Sequence, residues 1–181
     1  EREKELVDKL HIQATTDQLT GIYNRRVIFE ALDEAMENSK QSKDRQFATI
    51  MFDIDFFKQV NDNYGHAGGD AVLVSFAKLL QTEISSPNIV GRIGGEEFLA
   101  ILYLSPDEAK EFCAKLIKKI NNNVVNFEGT DIKVSSSGGV AFSTETETSA
   151  DLTNKADERL YDAKKDGRNR FKLIDSELVG D

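Results

Sequence analysis

Alternating helical and strand-like segments predict an α+β fold with helices packed around a central mixed sheet. Three observations carry that prediction. Residues 46–55, 98–102 and 132–142 are apolar or β-prone runs of strand length. Between such runs lie stretches with apolar residues at helical spacing, as in Val72, Leu73, Phe76, Leu79 and Leu80. The turn Arg92-Ile93-Gly94-Gly95-Glu96-Glu97-Phe98 joins two strand-like segments through paired glycines, which reach positive φ freely and allow a tight hairpin.

The elements follow in order. The chain opens in a charged helix with Val7, Leu10 and Ala14 at helical spacing, which reads as the end of a longer signalling helix or coiled coil. Asn24 can cap a helix running to about residue 40. The strand at 46–55 ends in Asp53 and Asp55, and Asp55 is expected to cap the helix that follows. Gly68-Gly69-Asp70 precedes an amphipathic helix from residue 71 to about 83. Asn88-Ile89-Val90 leads into the glycine turn, and Phe98 to Leu102 leads out of it. Ser105-Pro106-Asp107-Glu108 is a capping box with proline at the first helical position, so a helix is expected from 106 to about 121. Residues 124–127 and 132–142 read as a hairpin turning at Glu128-Gly129. A last long helix spans 150–166 and stops at Gly167, before a strand at 170–174.

Composition bounds the function. A chain of 181 residues, 39% hydrophobic and 30% charged, suits one soluble domain with a sizeable core. A net charge of −9 and a pI near 4.8 argue against gripping nucleic acid, which requires a basic face. An acidic chain still binds nucleotides when metal ions and a few basic residues supply positive charge. The lone Cys113 sits among Phe112, Leu116, Ile117 and Ile120 and reads as a core residue. No apolar run approaches the ~20 residues that span a bilayer, and no signal peptide is visible. A cytoplasmic location without membrane contact by this stretch is therefore expected, with an upstream sensor or membrane segment compatible with the opening helix.

The chemistry concentrates at two places. Adjacent half-buried carboxylates such as Glu96 and Glu97 repel by about 4 kcal/mol at ~4 Å and an effective dielectric of about 20, so a cation resolves the conflict. Strand alternation points Asp53 and Asp55 to one side, where Ile54 offers its backbone carbonyl. Carboxylate and carbonyl oxygens are the hard ligands Mg²⁺ prefers, completed by water and phosphate oxygens. If the two strands are neighbours, Asp53 and Glu96 can share one or two cations.

Five blocks in order carry a family resemblance: DQLTGIYNRR from Asp17, FDIDFFKQVND from Phe52, GHAGGD from Gly65, RIGGEEF from Arg92 and ADERLYDAKKDGRN from Ala156. The chain resembles the GGDEF domain of the bacterial diguanylate cyclase family, with GGEEF at Gly94 to Phe98. The resemblance implies a mostly antiparallel five-stranded sheet flanked by helices, similar to nucleotide cyclases and polymerase palms. It divides the chain into a signalling helix at 1–15, a catalytic domain at 16–175 and a tail at 176–181. It also implies condensation of two GTP into cyclic di-GMP with release of pyrophosphate, across a homodimer in which each copy holds one GTP.

Site roles are carried over residue by residue. Asp53, the Ile54 carbonyl and Glu96 match the family's metal ligands, implying Mg²⁺ or Mn²⁺, two per site. Either Glu96 or Glu97 could take the attacking hydroxyl's proton, and the sequence leaves that choice open. Lys58 matches a phosphate-contacting lysine, and Lys164 and Arg168 match the triphosphate contacts. Asn61 and Asp70 match the guanine contacts, with Leu19 and Phe57 lining the pocket and Gly94 and Gly95 admitting the nucleotide. A carboxylate such as Asp70 accepts from guanine's paired N–H donors, which adenine lacks, so GTP is favoured over ATP. His66 either approaches the substrate or bonds to its own turn.

One block departs from the pattern. Where many relatives carry an inhibitory Arg-x-x-Asp product site, this chain has Ser85-Ser86-Pro87-Asn88, and the partnering arginine aligns with Leu116. Tight feedback inhibition through that site is not expected. Two other readings compete with synthesis: a silent module that binds GTP or cyclic di-GMP, and a related cyclase that accepts ATP or makes mixed dinucleotides. Retention of Asp53, Glu96, Glu97 and Lys58 argues against the first, and Asp70 against the second.

Overall fold

A computed structural model of the chain describes residues 1–174 and 178–180. Helix α1 (Arg2–Thr15) leads into α2 (Arg25–Gln41), β1 (Ala48–Ile54), α3 (Phe57–Glu83), β2 (Ile89–Gly94) and β3 (Glu97–Leu102). Helix α4 (Pro106–Asn122), β4 (Val125–Phe127), β5 (Thr130–Ile132), β6 (Ser136–Phe142), α5 (Ser149–Lys165), β7 (Arg170–Lys172) and β8 (Leu178–Gly180) follow. Two of the expected caps form as the local sequence dictates. Asn24 accepts from the Val27 amide at 3.0 Å, and Ser105 and Glu108 close a reciprocal capping box.

The main sheet has the order β2-β3-β1-β6-β7-β8. Its neighbours are antiparallel except for the parallel β6–β7 pair, so the fold is the expected mixed, mostly antiparallel α+β arrangement. The strand count needs correction: this sheet has six strands, where five were expected. The extra strand, β8, pairs with β7 in the stretch read as a tail, and the buried Val179 anchors it. Three residues are too short to show strand periodicity. The domain boundary drawn between residues 175 and 176 lies outside the described residues.

Side-chain parity along β1 and β3 builds a core on each face of the sheet. Ile50, Phe52 and Ile54 join Phe98, Ala100 and Leu102 against α3 and α4, where Phe52 meets Phe171 and Phe76 meets Phe98 edge to face at 5.5 and 5.0 Å. Each such buried phenyl contributes roughly 1.5–3 kcal/mol by leaving water. Met51, Leu99 and Ile101 pack the other way, with residues of α2 and α5. Asp53 shares the parity of Met51, and its carboxylate accordingly meets Lys164 on α5. Cys113 is buried in the first core, and burial pushes its thiol up to about 12.

Two further expectations change. The helix expected from residue 71 begins just after Gly65, whose φ of 73° and ψ of 176° break the helical path between it and the helix that starts at Phe57. The turn at Glu128-Gly129 forms with both residues at positive φ, 49° and 81°, as a twisted two-residue hairpin requires. Its partner strand is the short β5, in a separate two-stranded sheet. Strand β6 starts only at Ser136, after the Ser135 carbonyl has accepted from the Asp55 amide at 2.9 Å.

Candidate active site

The end of β1 meets the glycine turn through backbone pairing alone. Asp53 lies opposite Glu97 in the β1–β3 register, and the Ile54 amide donates to the Glu96 carbonyl at 3.2 Å. A register shift between Arg92 and Gly94 lets the chain turn sharply. A Cβ at Gly94 would stand 3.2 Å from the Glu97 carboxylate, so the glycine leaves that carboxylate its room. Both glutamates are half-buried, and Asp53 is buried.

Two arginines brace the turn from outside. Arg92 donates its Nε to the Gly95 carbonyl at 2.9 Å and its Nη1 to Asp17 at 3.2 Å, while Arg25 donates to the Ile93 carbonyl at 2.8 Å. Asp17 also accepts from the Thr20 amide and hydroxyl. Burial draws the Asp17 carboxyl upward, but the Thr20 hydrogen bonds and the Arg92 guanidinium outweigh it and hold it below its ordinary value. Sequence reasoning quoted both residues within motif blocks and gave neither a role. Their opposite charges were the only available signal, and 75 residues separate them.

Lys164 projects from α5 onto this cluster and donates to Asp53 Oδ2 at 2.7 Å. Burial pushes the Asp53 carboxyl above its ordinary value, the Lys164 ammonium pulls it back, and the charges of Glu96 and Glu97 push it up again. Asp53 thus meets a positive side chain at 2.7 Å with the charges of Glu96 and Glu97 nearby. Among the described residues no three carboxylate, imidazole or thiolate side chains converge into a metal cage. A divalent ion held by Asp53, Glu96 and the Ile54 carbonyl would therefore draw its remaining oxygens from phosphate or water, as Mg²⁺ commonly does.

Asp55 does not cap the next helix. The cap residue of α3 is Phe56, left-handed at φ 56°, with no side-chain cap hydrogen bond. The buried Asp55 instead accepts from the hydroxyls of Ser135 and Ser137, each at 2.6 Å, and from the Asn169 amide at 3.0 Å. The Gln59 and Val60 amides of α3 donate to the Phe56 carbonyl at 3.0 and 3.3 Å, ahead of them come those of Phe57 and Lys58, and a helix amino end favours anions. Lys58, exposed, is the second residue of that helix.

Arg168 lies beyond the end of α5 at φ 63°, with its guanidinium 4.6 Å from the centre of the Phe56 ring. Lys164, from the last turn of α5, and Arg168, from the turn that follows, thus both meet the end of β1. Asn61 packs against Gly69, where a Cβ would collide with its side-chain oxygen and come within 3.2 Å of Phe57. Phe57, Asn61 and the Gly69-Asp70 step are thereby brought together. Leu19 packs against the core cluster that contains Phe57, and His66 is exposed just after the Gly65 break.

Ser85 is exposed, and the Asn88 side-chain oxygen is taken by the Tyr103 amide at 2.8 Å. Leu116 is 1% exposed in the core, so the position aligned with the partnering arginine does not face a surface site.

The candidate site is thus an acidic hairpin end on a mixed, mostly antiparallel α+β sheet, faced by a lysine from the last long helix. The family described as diguanylate cyclase, GGDEF domain, matches residues 14–170. The chain belongs to that family. It is 34% identical over 168 residues to diguanylate cyclase A of Treponema denticola, covering 91% of this chain and 45% of that protein. With diguanylate cyclase DgcS of Shewanella oneidensis it shares 34% over 170 residues, covering 94% and 56%. The chain therefore spans about half the length of these curated relatives. Among solved structures, the coiled coil and GGDEF domain of DgcB from Caulobacter crescentus, in complex with c-di-GMP, superposes with a TM-score of 0.88 at 26% identity. That likeness covers 96% of this chain and 92% of the other. The diguanylate cyclase SiaD of Pseudomonas aeruginosa, in complex with its activator SiaC, gives 0.86 at 34% identity, covering 96% and 66%.

Proposed function

We propose that the domain condenses two GTP molecules into cyclic di-GMP and releases pyrophosphate. The observation that carries this reading is the Asp53–Lys164 pair at the end of β1, set beside Glu96 and Glu97 of the glycine turn. In each step a ribose 3′-oxygen bonds to the α-phosphorus of the other nucleotide, and the bond from that phosphorus to the pyrophosphate leaving group breaks. Such transfer is governed by positioning and by neutralisation of phosphate charge.

The chain's residues divide that work. Asn61 and Asp70 read guanine between Leu19 and Phe57, Gly94 and Gly95 admit the nucleotide, and His66 stands at the rim. Lys58, Lys164 and Arg168 hold the triphosphate, and Glu96 or Glu97 accepts the 3′-proton. Asp53, the Ile54 carbonyl and Glu96 would hold Mg²⁺ or Mn²⁺, two per site, whose chemistry when bound is to offset phosphate charge and acidify a hydroxyl. Because each cluster holds one GTP, the working species is a homodimer with two sites facing.

Product identification separates this reading from its rivals. Incubating the domain with Mg²⁺ and GTP, ATP or both, and resolving the products by mass, is expected to give cyclic di-GMP from GTP alone. Intact GTP binding with no product at high enzyme concentration would instead mark a silent binding module. With Asn88 already engaged by the Tyr103 amide, added cyclic di-GMP is expected to leave initial rates unchanged. Strong non-competitive inhibition would show that a product site exists elsewhere.

A further inference from the structure

Four described non-glycine residues adopt positive φ, and three of them, Phe56, Arg168 and Asn169, gather around one buried carboxylate. Such conformations are costly and persist only where surrounding contacts over-determine them. Asp55, 4% exposed, supplies those contacts. Its two oxygens take the hydroxyls of Ser135 and Ser137 and the amide of Asn169. The Asn169 bond fastens the turn after α5 to the end of β1, across 114 residues of sequence. Within that turn the Arg168 amide donates to the Ala163 carbonyl at 3.0 Å, which fixes the backbone that carries the guanidinium.

Phe56 completes the arrangement from the other side. It is 54% exposed, so burial does not explain an aromatic ring in a left-handed cap. Its ring face instead carries the Arg168 guanidinium, 4.6 Å from the centroid. The charge is thereby held at the amino end of α3 before any phosphate arrives, and a side chain ordered in advance loses less freedom on binding.

We propose that Asp55 and Phe56 are positioning residues for the polyphosphate of a nucleoside triphosphate: Asp55 pins the turn that bears Arg168, and Phe56 orients its guanidinium. This rests on the nucleotide-binding reading above. It assigns affinity for the phosphate chain, not for guanine, to two side chains that act through Arg168.

Equilibrium binding of 3′-deoxy-GTP, which lacks the attacking hydroxyl, and of GMP, both with Mg²⁺, tests the assignment. Relative to wild type, 3′-deoxy-GTP affinity is expected to fall about 3-fold in Phe56→Leu and about 10-fold in Asp55→Asn. GMP affinity is expected to hold in both variants, and Phe56→Tyr, which keeps the ring, to bind 3′-deoxy-GTP like wild type. Parallel loss of both ligands, or unchanged 3′-deoxy-GTP affinity, overturns the proposal. Phe56→Leu lies at an exposed position and keeps the test decisive should Asp55→Asn fail to fold. Wild-type protein that binds neither nucleotide would overturn the nucleotide reading itself, and this proposal with it.

Discussion

Asp53 is buried, opposed to Glu97 across the ladder and paired with the Lys164 ammonium. Replacing it with asparagine keeps the backbone ladder and removes the charge on which a cation depends. Asp53→Asn is expected to lower cyclic di-GMP synthesis by at least about 100-fold, or ~2.7 kcal/mol of transition-state stabilisation. Initial rates, with thermal melting to show an intact fold, check this; activity within about threefold of wild type would contradict it. Asp53 was legible because a core strand ending in paired acids is chemically conspicuous. Asp55 was misread because its place before a helix favours a cap, whereas its partners Ser135, Ser137 and Asn169 lie 80, 82 and 114 residues away. Local sequence cannot display bonds of that span.

At the scale of elements, caps and hairpins were readable wherever neighbouring residues satisfy one another, as at Asn24 and in the Ser105–Glu108 box. The Gly65 interruption and the edge strand β8 were not, because the first depends on a dihedral angle and the second on three residues pairing with β7. A long-range brace also escaped notice: Arg159 of α5 meets Glu145 at 2.6 Å, with side chains only 12% and 15% exposed, and donates as well to the Val140 carbonyl. Burial alone would raise the Glu145 carboxyl, but Arg159 and the Phe142 amide outweigh it and hold it below its ordinary value of 4.5. The ionised form is therefore favoured by folding. The resulting stability is present above about pH 4.5 and lost as pH falls through the depressed folded value. Glu145→Gln is expected to cost about 1–2 kcal/mol near neutral pH by weakening the charge-assisted bonds to Arg159, and to flatten the acid limb of stability measured by urea titration. A variant with an unchanged acid limb would remove Glu145 from that role.

For the whole molecule, helix α1 buries none of its residues and leaves Leu6, Val7, Leu10 and Ile12 each more than half exposed. Leu6, Val7 and Leu10 fall on one face of the helix, which a second copy would cover in the proposed homodimer. Specific activity is accordingly expected to rise with enzyme concentration, and strict proportionality between rate and concentration at all dilutions would count against facing sites. Among the described residues no helix is long and apolar enough to cross a membrane. In the proposed reaction the Asp53–Glu96–Glu97 cluster joins two GTP molecules into one cyclic product. The most direct measurement is the yield of pyrophosphate and of cyclic di-GMP from Mg²⁺ and GTP, in wild-type protein and in Asp53→Asn side by side. Wild-type protein is expected to release two pyrophosphates per cyclic di-GMP, and the variant to form both products at least about 100-fold more slowly. Equal yields from both proteins, or GTP consumed without cyclic di-GMP, would contradict it.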